Sequence, residues 1–149
     1  MPLSQTIRER MIAIEHYATI APDATLREAA VSLRTSFCEL GGGMRTVAGP
    51  RAVLVTDKAG RLRGILDFMC FLENYYPQIG GLSATLKVND IMLTVKGFID
   101  AEASMEAGLK MIVQKKISIL PVYDGERAVG LIRDTDIFLA LTDNLDVDA

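Results

Sequence analysis

The sequence has few of the residues on which catalysis and metal binding usually depend. Its 149 residues include one histidine, two cysteines and no tryptophan, and 6% of them are aromatic. Zinc sites built from several His or Cys ligands, and relays of histidines, are therefore excluded. Stacking platforms for single-stranded nucleic acid are scarce for the same reason. We expect no catalytic residues and no metal site.

Long apolar runs and an excess of basic charge are also missing. No run approaches the roughly 18 apolar residues that cross a bilayer, and the first ten residues lack the apolar core of a signal peptide. Lys plus Arg number 16 against 19 for Asp plus Glu, which excludes a chain-wide basic surface for nucleic acid. The two cysteines form no disulfide framework. We therefore expect a cytoplasmic protein with reduced thiols and no membrane contact.

What the sequence does contain is an internal repeat. Each copy has an approach segment, a short extended segment, a helix, two apolar strands joined by a turn, and a final apolar helix. This order predicts a mixed α+β fold made of two β–α–β–β–α copies. The first copy covers 1–76 with a Gly-rich insertion at 40–50, a linker covers 77–86, and the second copy covers 87–149. The matching segments are 6–11 with 87–92, 19–22 with 98–101, 25–29 with 104–108, 52–55 with 119–122, and 62–66 with 128–132.

Helix signals support this division. Thr25 and Ser104 are predicted N-caps, and Glu28 stands three residues after Thr25, as a capping box requires. Both following segments have apolar residues at helical spacing, and apolar helices are predicted over 68–76 and 135–145. The two stripes consist of Leu26, Ala29, Ala30, Leu33 and Phe37 in the first copy, and of Met105, Leu109, Ile112 and Val113 in the second.

The glycine triplet and the two cysteines invite a catalytic interpretation and also have a simpler one. The glycine triplet in the insertion lacks the Lys-Ser/Thr ending of a phosphate-binding loop, which favours a surface loop. Cys38 and Cys70 lie in apolar helical segments, where cysteines usually pack as inert thiols. A small hydrolase or transferase that uses Cys70, Asp67 or Asp136 is a competing hypothesis. Rapid alkylation of Cys70 in the native protein would support it.

Three stretches carry a resemblance to a known family: 88–92 (VNDIM), 116–124 (KISILPVYD) and 130–137 (GLIRDTDI). In their order, spacing and duplication they resemble a tandem pair of CBS domains, also called a Bateman module. The resemblance covers nearly the whole chain. It implies two repeats packed pseudo-two-fold through their sheets, with two clefts that commonly hold adenine nucleotides in this family.

The resemblance also implies which residues of the second copy bind the ligand. The family has a hydroxyl residue for phosphate and, three residues later, an Asp for the ribose; here Arg133 and Asp136 stand at these positions. A guanidinium also grips phosphate, so Arg133 is an acceptable replacement. Two alternatives stay open, since Asp136 can simply cap the last helix or pair with Arg133. The other candidates are Ile117, Ser118, Ile119 and Pro121 around the adenine, Thr94 and Ile99 opposite, and Lys115 and Lys116 as phosphate contacts or a solvated helix end.

The first copy departs further from the family pattern. Asp67 stands at the hydroxyl position and Cys70 at the ribose position. A carboxylate about 4 Å from a phosphate charge would repel it by about 4 kcal/mol at an effective dielectric of 20. We therefore expect this weaker second site, lined by Thr19, Arg51, Ala52 and Asp67, to be empty or to take a ligand without phosphate there.

The resulting hypothesis is a freestanding, non-catalytic sensor. It would bind AMP, ADP, ATP or S-adenosylmethionine as a regulatory ligand, require no cofactor, and act on an effector protein that the sequence does not identify. The final helices are apolar on every side and need cover on every side, which predicts a homodimer through the repeat helices. The alternative is a ligand-independent scaffold for protein interaction or dimerisation.

Overall fold

The structure is a computed structural model that describes residues 4–41, 52–76, 81–95 and 97–143, with the backbone alone at 36–41 and 76. Its contacts divide the chain into two compact units. The terminal unit comprises Met1–Glu15 and Lys96–Ala149, and the central unit comprises His16–Val95. Most of the Gly-rich insertion, Arg51 and the acidic tail beyond 143 lie outside the described residues.

Short helices and strands alternate along the chain, as the mixed α+β prediction requires. In chain order the elements are α1 (Ile7–Arg10), β1 (Ile12–Ala13), β2 (Ala18–Ile20), α2 (Leu26–Gly41), β3 (Val53–Thr56), β4 (Leu62–Leu66), α3 (Phe68–Leu72), β5 (Tyr75–Tyr76), β6 (Gly81–Leu82), α4 (Val88–Ile91), β7 (Leu93–Thr94), β8 (Ile99–Asp100), α5 (Met105–Lys115), β9 (Ile119–Asp124), β10 (Arg127–Arg133) and α6 (Asp134–Thr142). A single 3₁₀ turn spans Ile14–His16. The mixed α+β class is confirmed.

The terminal unit is built on a four-stranded sheet of order β1-β10-β9-β8. β10 runs antiparallel to β1 and β9, whereas β8 runs parallel to β9. Burial of branched apolar side chains between this sheet and its helices is the main stabilising contribution. The buried cluster contains Ile7, Ile99, Ala101, Met105, Ile112, Leu120, Val122, Ile132, Ile137 and Ala140.

The central unit repeats this plan with a sheet of order β2-β3-β4-β7. β2 lies parallel to β3, and β4 is antiparallel to both β3 and β7. A two-stranded ribbon of β5 and β6 belongs to the same unit. Its buried cluster contains Leu26, Ala29, Leu33, Val53, Val55, Leu66, Cys70, Val88 and Ile91.

Strand register matches between the two units residue for residue. In the central unit Val55 pairs with Ile20 on one side and with Gly64 on the other. In the terminal unit Val122 pairs in the same way with Ile99 and with Gly130. Each antiparallel hairpin also has its irregularity directly before the glycine. The predicted duplication therefore extends to individual hydrogen-bonded pairs.

The first segment of each copy packs in the unit that holds the strands of the other copy. A Cβ built on Gly64 would lie 2.5 Å from Sδ of Met92, and one built on Gly130 would lie 2.6 Å from Sδ of Met11. Both approach segments contain a short helix, α1 or α4, where only a polar turn was expected. The domain bounds 1–76 and 87–149 describe the repeat in the sequence and stay a prediction. The two compact units have other bounds, because each contains the approach segment of the other copy.

The predicted helix starts are confirmed. The Glu28 backbone N–H donates to Thr25 Oγ1 (3.0 Å), and the Thr25 backbone N–H donates to Glu28 Oε1 (3.0 Å). These bonds from Thr25 lower the pKa of the Glu28 carboxyl below its ordinary value. In the second copy the Ala107 N–H donates to Ser104 Oγ (3.1 Å). Both side chains thus satisfy N–H groups that the first helical turn leaves without a partner.

Two sequence predictions about helices are wrong in detail. The helix expected over 68–76 ends at Leu72, and Tyr75–Tyr76 instead form a strand paired with Gly81–Leu82. Within the expected linker 77–86, Leu82 packs against the central core. Val113 belongs to the predicted apolar stripe but is 62% exposed, because α5 buries its Met105, Gly108 and Ile112 face.

Candidate functional site

The candidate site lies at one edge of the terminal sheet, where β9 begins and β10 ends. Ile119 pairs with Arg133 across the hairpin, and the Asp134 N–H donates to the Ser118 carbonyl (2.9 Å). The start of β9 and the start of α6 are therefore held together. The adenine and phosphate candidates Ser118, Ile119 and Arg133 become neighbours through these backbone contacts.

Lysine side chains approach this edge from the end of α5. A Cβ built on Gly97 would meet the Lys115 side chain, with Cε at 3.4 Å and Nζ at 3.7 Å, so the Lys115 stem crosses the backbone just before β8. Lys116 closes the helix in the left-handed region, with φ of 54°. Both lysines are exposed. Two cations therefore stand next to the strand ends without being buried.

Arg133 and Asp136 form a buried ion pair at this edge. Arg133 Nη2 donates to Asp136 Oδ1 (2.6 Å), while Arg133 Nε and the Arg133 backbone N–H donate to Asp136 Oδ2 (2.9 and 2.8 Å). The two side chains are only 9% and 7% exposed. Two-point pairing of this kind is the strongest geometry available to arginine and a carboxylate.

In this pair Asp136 both caps the last helix and pairs with Arg133, which are the two alternatives to ligand contact. Asp136 accepts the backbone N–H of the N-cap residue Arg133, and it also neutralises the Arg133 guanidinium. A carboxylate oxygen accepts about two hydrogen bonds, so Oδ2 is fully used and Oδ1 retains one acceptor position. Recognition of a ribose by Asp136 stays a prediction, and with the pair intact there is room for one hydroxyl.

The remaining predicted residues are distributed over both units. Ile99 and Pro121 are buried in the terminal sheet, Ile117 and Ile119 are half-buried, and Ser118 is exposed. Thr94 lies in the central unit, where β7 pairs it with Gly64. The edge where β9 begins and β10 ends thus brings together Ser118, Ile119, Arg133 and Asp136, with Ile117 directly before Ser118. Ile99 and Pro121 lie further along the sheet, paired with Val122 and Leu131.

A hydroxyl that the sequence interpretation passed over lies at the second position of α6. Thr135 Oγ1 is buried and has no hydrogen-bond partner within the described part of the chain. A buried hydroxyl without a partner is uncommon in folded proteins. A signal was available in the sequence. The family pattern has a hydroxyl residue at the position of Arg133, and Thr135 is the next hydroxyl residue after it.

The corresponding edge of the central unit has different chemistry. Asp67 Oδ1 accepts the Cys70 backbone N–H (3.2 Å) and also contacts Cys70 Sγ (3.3 Å), so the carboxylate caps α3. Cys70 is 4% exposed, and desolvation by burial raises the pKa of its thiol to about 11. Ala52 is buried and Thr19 is exposed; Arg51 lies outside the described residues. The arrangement is that of a helix cap and a packed thiol.

Neither metal ligands nor membrane spans stand out in the described ranges. Among residues 4–41, 52–76, 81–95 and 97–143, no group of three His, Cys, Asp or Glu side chains is placed to hold a metal ion. In the same residues, no helix has both the length and the apolar character needed to traverse a bilayer.

Comparison with known proteins identifies the fold. The family model described as CBS domain matches residues 88–143. A CBS-domain containing protein from Agrobacterium tumefaciens aligns with a TM-score of 0.69 at 18% identity, over 93% of this chain and 95% of its own. An uncharacterised conserved protein from Pyrococcus horikoshii aligns with a TM-score of 0.73 at 14% identity, over 99% of each chain.

A third similar structure was solved with a ligand. It is the CBS domain of a bacterial CNNM/CorC family Mg²⁺ transporter in complex with ATP, with a TM-score of 0.73 at 19% identity, over 95% of this chain and 89% of that one. Among curated protein sequences there is no significant match. At these identities the structural likeness establishes the fold alone.

Proposed function

We propose that this protein is a non-catalytic regulatory module for an adenosine-containing ligand, because residues 88–143 match the CBS domain family model and the chain shares the fold of solved CBS-domain proteins. The observation that carries the proposal is the gathering of Ile119, Arg133 and Lys115 at one edge of the terminal sheet. The ATP complex of the transporter CBS domain supports the same ligand class.

This edge offers suitable groups to both the base and the phosphates of a nucleotide. Half-buried Ile117 and Ile119 offer apolar surface to a base, while the exposed Lys115 and Lys116 ammonium groups offer positive charge to phosphate. Arg133 adds a guanidinium whose charge is already partly neutralised by Asp136. We therefore assign the main phosphate contact to Lys115 and a supporting role to the Arg133–Asp136 pair.

The nucleotide proposal is tested by calorimetric titration with AMP, ADP, ATP and S-adenosylmethionine. In Lys115→Met the ammonium is lost while the apolar stem beside Gly97 is kept. We expect ATP to bind about tenfold or more weakly to this variant, as the loss of one charge-assisted hydrogen bond implies. Binding of adenosine should hardly change, because it carries no phosphate.

Lys58→Met is the matched control, since it removes the same charge from an exposed turn of the central unit. It should bind ATP as the wild type does. If none of the four ligands binds at millimolar concentration, the regulatory-ligand proposal is wrong and the alternative, a ligand-independent scaffold, takes its place.

A homodimer through the repeat helices forms part of the same proposal. Leu72 at the end of α3 is 67% exposed, and Phe138 in α6 is 62% exposed. Large apolar side chains that stay in water are typical of interaction surfaces. They occur on the equivalent final helix of each copy, and we therefore assign the dimer contact to these helices.

Sedimentation equilibrium measures this directly. The expected molar mass is twice the 16.3 kDa of the chain, and Phe138→Ser should shift the equilibrium toward monomer. Thr142→Ser on the same helix is the control and should leave the mass unchanged. A wild-type protein that stays monomeric at high micromolar concentration would contradict the dimer.

A further inference from the structure

A pocket in the central unit lies at the sheet edge opposite Ala52 and Asp67. It has a volume of about 350 Å³ and is lined by Pro22, Asp23, Arg63, Lys87, Asn89 and Asp90. These residues follow β2, begin β4 and begin α4. The pocket is therefore separate from every residue assigned above to nucleotide binding.

The terminal unit has the same backbone arrangement at the equivalent place. The Arg8 N–H donates to the Ala101 carbonyl (2.9 Å), just as the Asn89 N–H donates to the Pro22 carbonyl (2.9 Å). Arg8 and Asn89 are thus equivalent positions. Glu102, which follows Ala101, is equivalent to Asp23, which follows Pro22.

The two units fill this place differently. Arg8 spans it with its guanidinium, donating from Nε to Glu102 Oε1 (2.7 Å) and from Nη2 to Asp124 Oδ2 (2.9 Å). Asn89 is shorter than Arg8 and carries no charge, and no ion pair to Asp23 is found among the described residues. Asp57, the counterpart of Asp124, is paired with Arg61 Nε at 3.1 Å. Asp23 is therefore the carboxylate of this place that is left for a ligand, and it lines the central pocket.

The charges around the pocket define a complementary ligand. The lining contains two carboxylates, Asp23 and Asp90, and two cations, Arg63 and Lys87. Asp90 Oδ2 accepts the Lys87 backbone N–H (2.8 Å), so Asp23 is the carboxylate more available to a ligand. Arg63 lies 3.7 Å from Asp57 Oδ2, which is longer than a hydrogen bond, and its side chain is 54% exposed. A ligand of one sign would be repelled by half of this lining. A small zwitterion with separated charges is attracted by both halves.

We propose that this pocket binds a free guanidinium zwitterion of the arginine class. The guanidinium lies on Asp23, as the Arg8 guanidinium lies on Glu102, and the ligand carboxylate faces Arg63 and Lys87. Binding involves no chemical change in the ligand. The proposal does not depend on nucleotide binding, because none of its residues belongs to the other site.

The experiment is a titration of the nucleotide-free protein with L-arginine, followed by ¹H–¹⁵N NMR and calorimetry. We expect saturable shifts at the amides of Asp23 and Asn89. L-citrulline, which has a neutral ureido group, and agmatine, which lacks the carboxylate, should each bind at least about tenfold more weakly. Equal binding of citrulline would overturn the guanidinium assignment, and equal binding of agmatine would overturn the zwitterion.

Asn89→Arg supplies the decisive variant, because it places in the central unit the side chain that already occupies this position in the terminal unit. Its own guanidinium should fill the pocket and abolish arginine binding. Glu126→Arg, which adds a guanidinium on an exposed turn of the terminal unit, is the control and should bind as the wild type does. Asp23→Asn, an exposed substitution, should weaken binding at least about tenfold and keeps the test valid if Asn89→Arg misfolds. Wild-type protein without saturable binding at millimolar arginine, or undiminished binding in Asp23→Asn, would refute the site.

Discussion

Asp136→Ala is expected to lower the free energy of unfolding by about 3–5 kcal/mol, the usual cost of removing one partner from a buried ion pair. The substitution takes away the carboxylate that receives the Arg133 guanidinium at 2.6 and 2.9 Å. It also removes the acceptor for the N-cap N–H of α6. Chemical denaturation monitored by circular dichroism measures the loss.

Asp134→Ala provides the matched control in the same helical turn. Asp134 is exposed and its carboxylate accepts the Thr135 backbone N–H (2.7 Å), so its substitution should cost no more than about 1 kcal/mol. The double variant Arg133→Met/Asp136→Leu should be more stable than Asp136→Ala, because no buried charge is then left without its counter-charge. Equal stability of Asp136→Ala and Asp134→Ala would show that the pair is not structural.

Because Asp136→Ala is expected to destabilise the protein, weaker ligand binding by this variant does not by itself identify a ligand contact. Loss of nucleotide binding in that variant has two sources, a missing ribose acceptor and a displaced Arg133. Lys115→Met is the cleaner test of the nucleotide site, since Lys115 is exposed and its stem is retained. The structure thus changes which substitution should be made first.

Alkylation of Cys70 in the folded protein at pH 8 is expected to be about two orders of magnitude slower than in the unfolded chain. With its pKa raised to about 11 by burial, only about one thiol in a thousand is ionised at that pH. An ordinary cysteine with a pKa of about 8.5 is about one quarter ionised. Since the thiolate is the reacting form, the ratio of rates follows the ratio of ionised fractions. Iodoacetamide labelling followed by mass spectrometry gives both rates.

The measurement is made on Cys38→Ser, so that one thiol is left in the chain. The reaction should accelerate as the pH rises from 8 toward 11, because the ionised fraction grows until the pH passes the pKa. Labelling of the native protein as fast as the unfolded chain at pH 8 would mean an activated thiolate. That result would revive the hypothesis of a small hydrolase or transferase, which the buried, capped position of Cys70 opposes.

Much of the local structure follows from the sequence because its causes are local. Thr25 and Glu28 are three residues apart, so their capping box is visible in the sequence and forms as expected. The paired strands of each copy are short apolar runs separated by turns, and consecutive residues of each are buried, as expected for strands covered on both faces. The repeat itself and the scarcity of catalytic residue types are properties of composition and order.

The candidate site was predicted only in part for the opposite reason. Arg133 and Asp136 are three residues apart in both the ligand-binding and the pairing interpretation, so spacing alone could not choose between them. The structure shows the pairing, with both side chains buried and joined at two points, whereas ligand contact by either side chain stays a prediction. The unpartnered Thr135 hydroxyl likewise depends on what surrounds it, which the neighbouring residues in sequence do not reveal.

By itself, then, the sequence determined the mixed α+β class, the repeated order of the main helices and strands, and the helix caps at Thr25 and Ser104. Only the tertiary structure decided that each copy's first segment packs in the unit holding the other copy's strands, and that Asp136 holds Arg133. It also decided that Arg8 bonds Glu102 and Asp124 within the terminal unit, while a pocket lies beside its counterpart Asn89 within the central unit. The physical reason is how far apart in the sequence the interacting residues lie. Helix caps and strand periodicity depend on residues a few positions apart, whereas Arg8 meets Asp124 across more than a hundred residues of intervening chain.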